Sequence, residues 1–184
     1  MNQNQPAQDP LGQVYAESDL SLPGIVSIKV ESLPEPYRSL LAHSDDMTGT
    51  LEIAYGDRIR LRVLRRRNSG EVLLREVVLV LEGNDRPVEF GAIRIQLDRL
   101  SAGARGAVLE GKLPLGRILQ DYRVKYRSRP LEFFRVQADA EMKKALGLDG
   151  SPTLYGRRNR LLTPSDGLLA EVIEILPPAD PVSG

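Results

Sequence analysis

Ile59-Arg60-Leu61-Arg62-Val63, then Asn68-Ser69-Gly70, then Glu71-Val72-Leu73-Leu74-Arg75-Glu76-Val77-Val78-Leu79-Val80-Leu81: this stretch decides the fold. Its first part alternates apolar residues with arginines at a period of two, the pattern of a strand with one wet face. Asn68-Ser69-Gly70 is a turn signal, and the run from Glu71 to Leu81 is its partner strand. That run is apolar at nearly every position, so both of its faces must be covered. Gly83-Asn84-Asp85 turns the chain again, and Val88 to Leu97 supplies a third strand of an antiparallel meander.

Working outward, Pro34-Glu35-Pro36 opens a helical stretch from Tyr37 to Ala42. Ser44-Asp45-Asp46-Met47 supplies capping residues for a second helix, Thr48 to Tyr55, closed by Gly56. Residues 99–122 read as helical with a break near Gly111, and Leu115, Ile118, Leu119 and Tyr122 fall on one stripe. Residues 122–138 are mostly extended, interrupted by Pro130, and a short helix from Glu141 to Leu146 ends at Gly147. Two last strands, Thr153 to Leu162 and Leu168 to Leu176, flank a turn at residues 163–167. Strands in runs with helices gathered between them predict an α+β domain with a single antiparallel sheet. The polar start, residues 1–22, reads as a mobile tail, residues 23–178 as the domain, and residues 179–184 as a frayed end.

The chain has 184 residues, 25 of them Lys or Arg and 25 Asp or Glu, so its formal charge is zero. That balance gives no global reason to expect a nucleic acid or an anionic membrane as partner. There is no cysteine and one histidine, His43, which excludes disulfides, thiolate nucleophiles and multi-histidine metal cages. No basic, apolar leader opens the chain and no apolar run approaches a membrane span, so a cytoplasmic protein is expected. A monomer is expected too.

Most conspicuous groups have ordinary explanations. The arginines at 58, 60, 62, 65, 66 and 67 lack interleaved aromatic residues and suit a solvated face. Asp45 and Asp46 suit capping better than metal binding, and His43 sits at a helix end. Arg75 differs, because its neighbours of equal parity are Leu73, Val77, Leu79 and Leu81. A buried guanidinium needs an anion: periodicity favours an internal salt bridge, and a clamp on a ligand carboxylate is the functional alternative. Glu174 shares parity with Val172 and Leu176, so it either pairs with an arginine or acts as an acid of raised pKa. Pro114-Leu115-Gly116 adds a helix start, where free N–H groups attract anions and Gly116 permits close approach to the backbone.

Five short motifs occur in an order and spacing that resemble the chorismate lyase (chorismate pyruvate-lyase) family. They are Asp46-Met47-Thr48, Leu74-Arg75-Glu76, Gly111-Lys112-Leu113-Pro114-Leu115-Gly116-Arg117-Ile118-Leu119, Leu154-Tyr155-Gly156-Arg157-Arg158 and Glu174-Ile175-Leu176-Pro177-Pro178. The resemblance implies a six-stranded antiparallel sheet with helices enclosing a buried ligand cavity, a fold shared with ligand-binding domains of transcription regulators. It also implies conversion of chorismate to 4-hydroxybenzoate, a quinone precursor, and pyruvate, with no metal or organic cofactor. The family's ligand-contacting Met, Arg, Leu and Glu correspond to Met47, Arg75, Leu115 and Glu174, with Gly116 beside Leu115. Arg75 and the Leu115 N–H would hold the ring carboxylate, and Glu174, kept protonated by apolar surroundings, would serve the leaving group. The chain departs from the family at Gly91-Ala92, where some members carry an arginine after the glycine. A longer last hairpin makes Glu171 a competitor of Glu174, which the gap-free match of Ile175 to Ala179 favours.

The expected function is therefore a lyase, with a non-catalytic binding module for a small aromatic carboxylate as the alternative. The absence of a helix-turn-helix signature in the chain argues against a regulator.

Overall fold

The computed structural model describes residues 9–179. A single antiparallel sheet of seven strands runs through it: β1 (Ile25–Ile28), β2 (Ile59–Asn68), β3 (Val72–Leu81), β4 (Pro87–Gln96), β5 (Arg127–Gln137), β6 (Thr153–Leu162) and β7 (Leu168–Leu176). Its order is β1-β5-β6-β7-β4-β3-β2. The helices are α1 (Pro10–Glu17), α2 (Tyr37–Leu41), α3 (Met47–Tyr55), α4 (Ala102–Glu110), α5 (Leu115–Asp121) and α6 (Ala140–Leu146). The α+β architecture is the one read from the sequence, with one strand more than the resemblance implies. The extra strand, β1, has four residues and pairs only with β5 at the sheet edge. Such a short piece between Pro23-Gly24 and Lys29 carries too few residues to show a period.

The meander β2-β3-β4 forms where the turn signals put it. Because β3 lies inside the sheet with helices on both sides, nine of its ten residues are buried. β2 is the edge strand, and its arginines blunt that edge against pairing with another chain. A bulge between Val63 and Arg65 turns Arg65 to the opposite face, where it pairs with buried Glu76 and with Glu141. The remaining arginines also find partners, Arg66 on the Leu109 carbonyl and Arg67 on Glu17, as a solvated face requires.

Each face of the sheet has its own cover. On one, α1 and α6 close over Leu74, Val78, Val80, Phe90, Ala92, Ile173 and Ile175. On the other, α4 and α5 cover one apolar cluster around Leu73, Ile93 and Ile95, while α2 and α3 cover a second around Val77, Leu79 and Leu81. The chain therefore builds two separate apolar clusters on one face, and the strip of sheet between them decides what the domain can do.

Residues 10–17 depart from the tail expected over 1–22. Asp9 caps α1 by accepting from the Gly12 N–H at 2.8 Å, and Pro10 opens its first turn. Leu11 is fully buried, Tyr15 is 1% exposed, and the Tyr15 hydroxyl donates to Asp139 at 2.6 Å. With polar Gln8 and Asp9 before it and only eight residues of helix, the apolar triad Leu11, Val14 and Tyr15 was too brief a pattern to read. Residues 1–8 and 180–184, the outer parts of the two expected tails, lie outside the described residues.

Among the described residues no helix is long and apolar enough to cross a membrane. Leu11→Ala should cost about 2–5 kcal/mol of stability, because it opens a cavity under α1. Denaturant unfolding measures this, and a change below about 0.5 kcal/mol would mean that α1 is not part of the cooperative core.

Candidate functional site

The cavity lies in the strip between the two clusters. Its apolar walls come from both sides, Met47, Leu61 and Leu79 from one and Ile93, Leu115 and Leu161 from the other. Measured to the centres of water-sized spheres it holds about 70 Å³. That is several times the roughly 10–15 Å³ one water needs on this measure, so the space suits a molecule larger than a solvent site.

Strand register places the polar groups. Val77 faces Gly91, Gly91 faces Glu174, and Glu174 faces Arg157 across four neighbouring strands. One row further along, Arg75 faces Ile93, which faces Val172, which faces Asn159. One row the other way, Leu79 faces Glu89. Alternation sends all these side chains to the same face. Glu171 is on the opposite face, where it pairs with Arg94 at 2.6 Å and Arg160 at 3.6 Å. Of the two competing glutamates, Glu174 is the one in the cavity.

Met47, Arg75, Leu115, Gly116 and Glu174 all line this one cavity. Arg75 is 2% exposed, and its Nε and Nη1 have no hydrogen-bond partner. The internal salt bridge that periodicity favours is not formed, since among the described residues no carboxylate pairs with it. Burial, with the nearby charge of Arg66 adding to it, pulls the Arg75 pKa down to about 10, so the side chain remains a cation at neutral pH. A buried cation with two idle donors facing an apolar cavity is the strongest ligand signal in the domain.

Glu174 takes the structural option. Its carboxylate is ion-paired with Nε of Arg157, a fully buried side chain that also donates through Nη1 to the carbonyls of Leu41 and His43, both at 2.9 Å. Of the two options that strand parity leaves open for Glu174, pairing with an arginine is the one observed, rather than the acid in apolar surroundings that the resemblance implies. The isolated acid is Glu89, which the sequence reading missed. Glu89 is 4% exposed and lines the cavity with Oε2 unpartnered. Burial raises its pKa well above the ordinary carboxylate range, the charge of Glu174 pushes the same way, and Arg157 opposes them. The missed signal is the one that exposed Arg75: a charge on the apolar parity of its strand, with Gly91 and Ile93.

Two glycines shape the space. A Cβ on Gly91 would lie 3.0 Å from the Ile173 carbonyl and 3.1 Å from Glu89 Oε1, so Glu89 lies over the bare backbone of Gly91. A Cβ on Gly116 would lie 2.6 Å from Asp46 Oδ1 and 3.2 Å from Thr48 Oγ1. Close packing of α5 against the start of α3 therefore already accounts for Gly116, without a ligand on its backbone. Asp46 caps α3 by accepting from the Gly49 N–H at 2.8 Å, whereas α5 begins at Pro114 with no side-chain cap. Among the described residues no cluster of three or more His, Asp or Glu side chains could hold a metal.

The fold is similar to several solved structures. One is the effector domain of PhnF from Mycobacterium smegmatis, at a TM-score of 0.57 and 15% identity, covering 72% of this chain and 88% of that one. Another is the ligand-binding domain of a protein described as a GntR-family transcriptional regulator from Bordetella bronchiseptica, at 0.50 and 18%, covering 65% and 85%. A third is gene product SA0254 from Staphylococcus aureus, at 0.54 and 9%, covering 74% and 90%. The chain spans 63% of the length of a longer PhnF structure, which it matches at a TM-score of 0.55 and 14% identity. The sequence matches no protein-family model and no curated protein. Identities this low establish a shared fold and leave function to the site.

Two outcomes follow from this geometry. Glu174→Gln should cost about 3–5 kcal/mol, because it strands the buried Arg157 charge. A variant as stable as the parent would mean that the pair contributes little. The second outcome concerns pH. Glu89 keeps its proton in the folded state while the unfolded chain releases it in the ordinary carboxylate range. The unfolded state then binds fewer protons, so stability falls as pH rises from that range through the folded pKa of Glu89. Buried Glu76 and Asp9 add to the same trend. In Tm measured across pH, Glu89→Gln should flatten this fall, and an unchanged slope would place the proton elsewhere.

Proposed function

We propose that the domain binds a small cyclic carboxylate in this cavity, with Arg75 as the anchor. One observation carries the reading: the Nε and Nη1 atoms of buried Arg75 face an apolar cavity and have no protein acceptor. A planar guanidinium matches a carboxylate bidentately, and the apolar walls suit a ring better than a sugar or a phosphate. The similarity to the fold of regulator ligand-binding domains supports a binding role.

A second reading keeps the same ligand chemistry and adds turnover. It is favoured by the gathering of Met47, Arg75, Leu115 and Glu174, the four residues singled out by the resemblance to chorismate lyases, around one cavity. In this reading chorismate is bound by its ring carboxylate on Arg75. The ether C–O bond breaks with its electron pair leaving on enolpyruvate, the ring loses a proton to become 4-hydroxybenzoate, and enolpyruvate gains one to become pyruvate. The protein need only orient the ring and supply an acid near the ether oxygen.

Calorimetry with benzoate tests the anchor. Arg75→Ala should weaken binding by about 2–5 kcal/mol while the protein stays folded. Intact binding in a destabilised variant would make Arg75 a structural residue instead. Incubation with chorismate separates the two readings: pyruvate and 4-hydroxybenzoate released in equal amounts establish turnover, and tight benzoate binding without release leaves the binding module.

A further inference from the structure

Glu89 has no place in either reading, yet it is the most unusual acid of the chain. It is one of two cavity-lining side chains with an unpartnered buried polar atom, the other being Arg75. The two stand at opposite ends of the cavity floor. Arg75 is opposite Ile93 and Glu89 is opposite Leu79, four residues apart along the strands, or about 13 Å between backbones. Between them lies the row of Val77, Gly91 and Glu174, where Gly91 leaves the floor bare. Glu174 is engaged by Arg157 through Oε2. At this end Glu89 is the lining side chain with a buried, unpartnered oxygen.

Resting on the carboxylate reading above, we infer that Glu89 is the specificity-determining residue of the cavity: lying over Gly91, its carboxyl group donates a hydrogen bond to an uncharged oxygen on the ring position opposite the ligand's carboxylate. The separation of the two ends suits a para-substituted ring. The environment agrees with a donor, since burial and the neighbouring Glu174 carboxylate both favour the protonated form. It also disfavours a second carboxylate at this end, which would meet the Glu174 carboxylate. The assignment differs from the sequence reading, which gave the acid's work to Glu174.

Calorimetry with three benzoates on the intact protein tests this. 4-Hydroxybenzoate and 4-methylbenzoate are close in size, so the methyl compound measures shape and the hydroxyl compound adds the hydrogen bond, with benzoate as the parent. The native protein should bind 4-hydroxybenzoate at least about tenfold more tightly than 4-methylbenzoate, the discrimination expected when a site is built to pair a hydroxyl. Glu89→Leu should abolish or reverse that preference, and Glu89→Gln, which keeps an N–H donor, should retain most of it. Equal or tighter binding of the methyl compound by the native protein overturns the assignment, even if Glu89→Leu does not fold. An undiminished preference in Glu89→Leu also overturns it, while the Arg75 anchor stands. Failure of all three acids to bind the native protein overturns the carboxylate reading and this inference together.

Discussion

A guanidinium buried on the apolar face of a sheet, with donors that no residue answers, is the constraint around which this domain is arranged. Arg75 sits in β3, where nine of ten residues are buried and helices cover both faces. A solvated position would cost nothing, and an internal carboxylate would have neutralised it. Neither is present among the described residues, and the cavity beside it is where the proposed anion would answer the charge. The same side chain lies in the strip of sheet between the two apolar clusters, with Glu89 and Glu174 beside it in the cavity that Met47, Leu61, Ile93 and Leu115 wall.

Charge in the cavity then has a simple balance. Arg157 and Glu174 cancel each other in a buried pair, and Arg157 Nη1 donates to the carbonyls of Leu41, at the end of α2, and His43, in the loop beyond it. Burial and the Glu174 charge push the pKa of Glu89 well above the ordinary carboxylate range, against the pull of Arg157. Arg75 is the cation of the floor that no carboxylate answers among the described residues. A ligand with one carboxylate completes the balance. A neutral ligand leaves a bare cation, and one with a second anionic group against Glu174 pays for repulsion.

The fold was legible because its signals are local. Alternation in β2, the apolar run of β3, Gly56, Gly111 and Gly147 at helix ends, and the turns after Asn68 and Gly83 each report on a few neighbouring residues. β1 and α1 were not legible, because each presents too few apolar positions for a period and is fixed by contacts with distant strands. In the site, parity sufficed for Arg75 and Glu174 but not for what they touch. Whether a buried charge meets a partner depends on register between strands far apart in sequence. Arg157 lies 17 residues from Glu174 across a hairpin, and nothing local distinguishes that pairing from an unpaired Arg75. Glu89 carried the same parity signal and was hidden by its setting beside Pro87 and Gly91, which reads as the approach to a turn.

The wall positions also differ in how freely they can change without breaking the fold. Gly91 is fixed by the Ile173 carbonyl, Gly116 by the Asp46 carboxylate, and Gly156 by the Glu174 carbonyl and the Phe134 ring, all close to where a Cβ would stand. Glu174 and Arg157 are fixed by each other. Arg75 and Glu89 are held by no partner through Arg75 Nε and Nη1 or through Glu89 Oε2, so another residue there would cost the sheet no hydrogen bond at those atoms. The paired charges and the glycines are thus tied into the packing of the sheet, whereas the unpartnered atoms of Arg75 and Glu89 are not, and the proposed ligand would be read at those two positions.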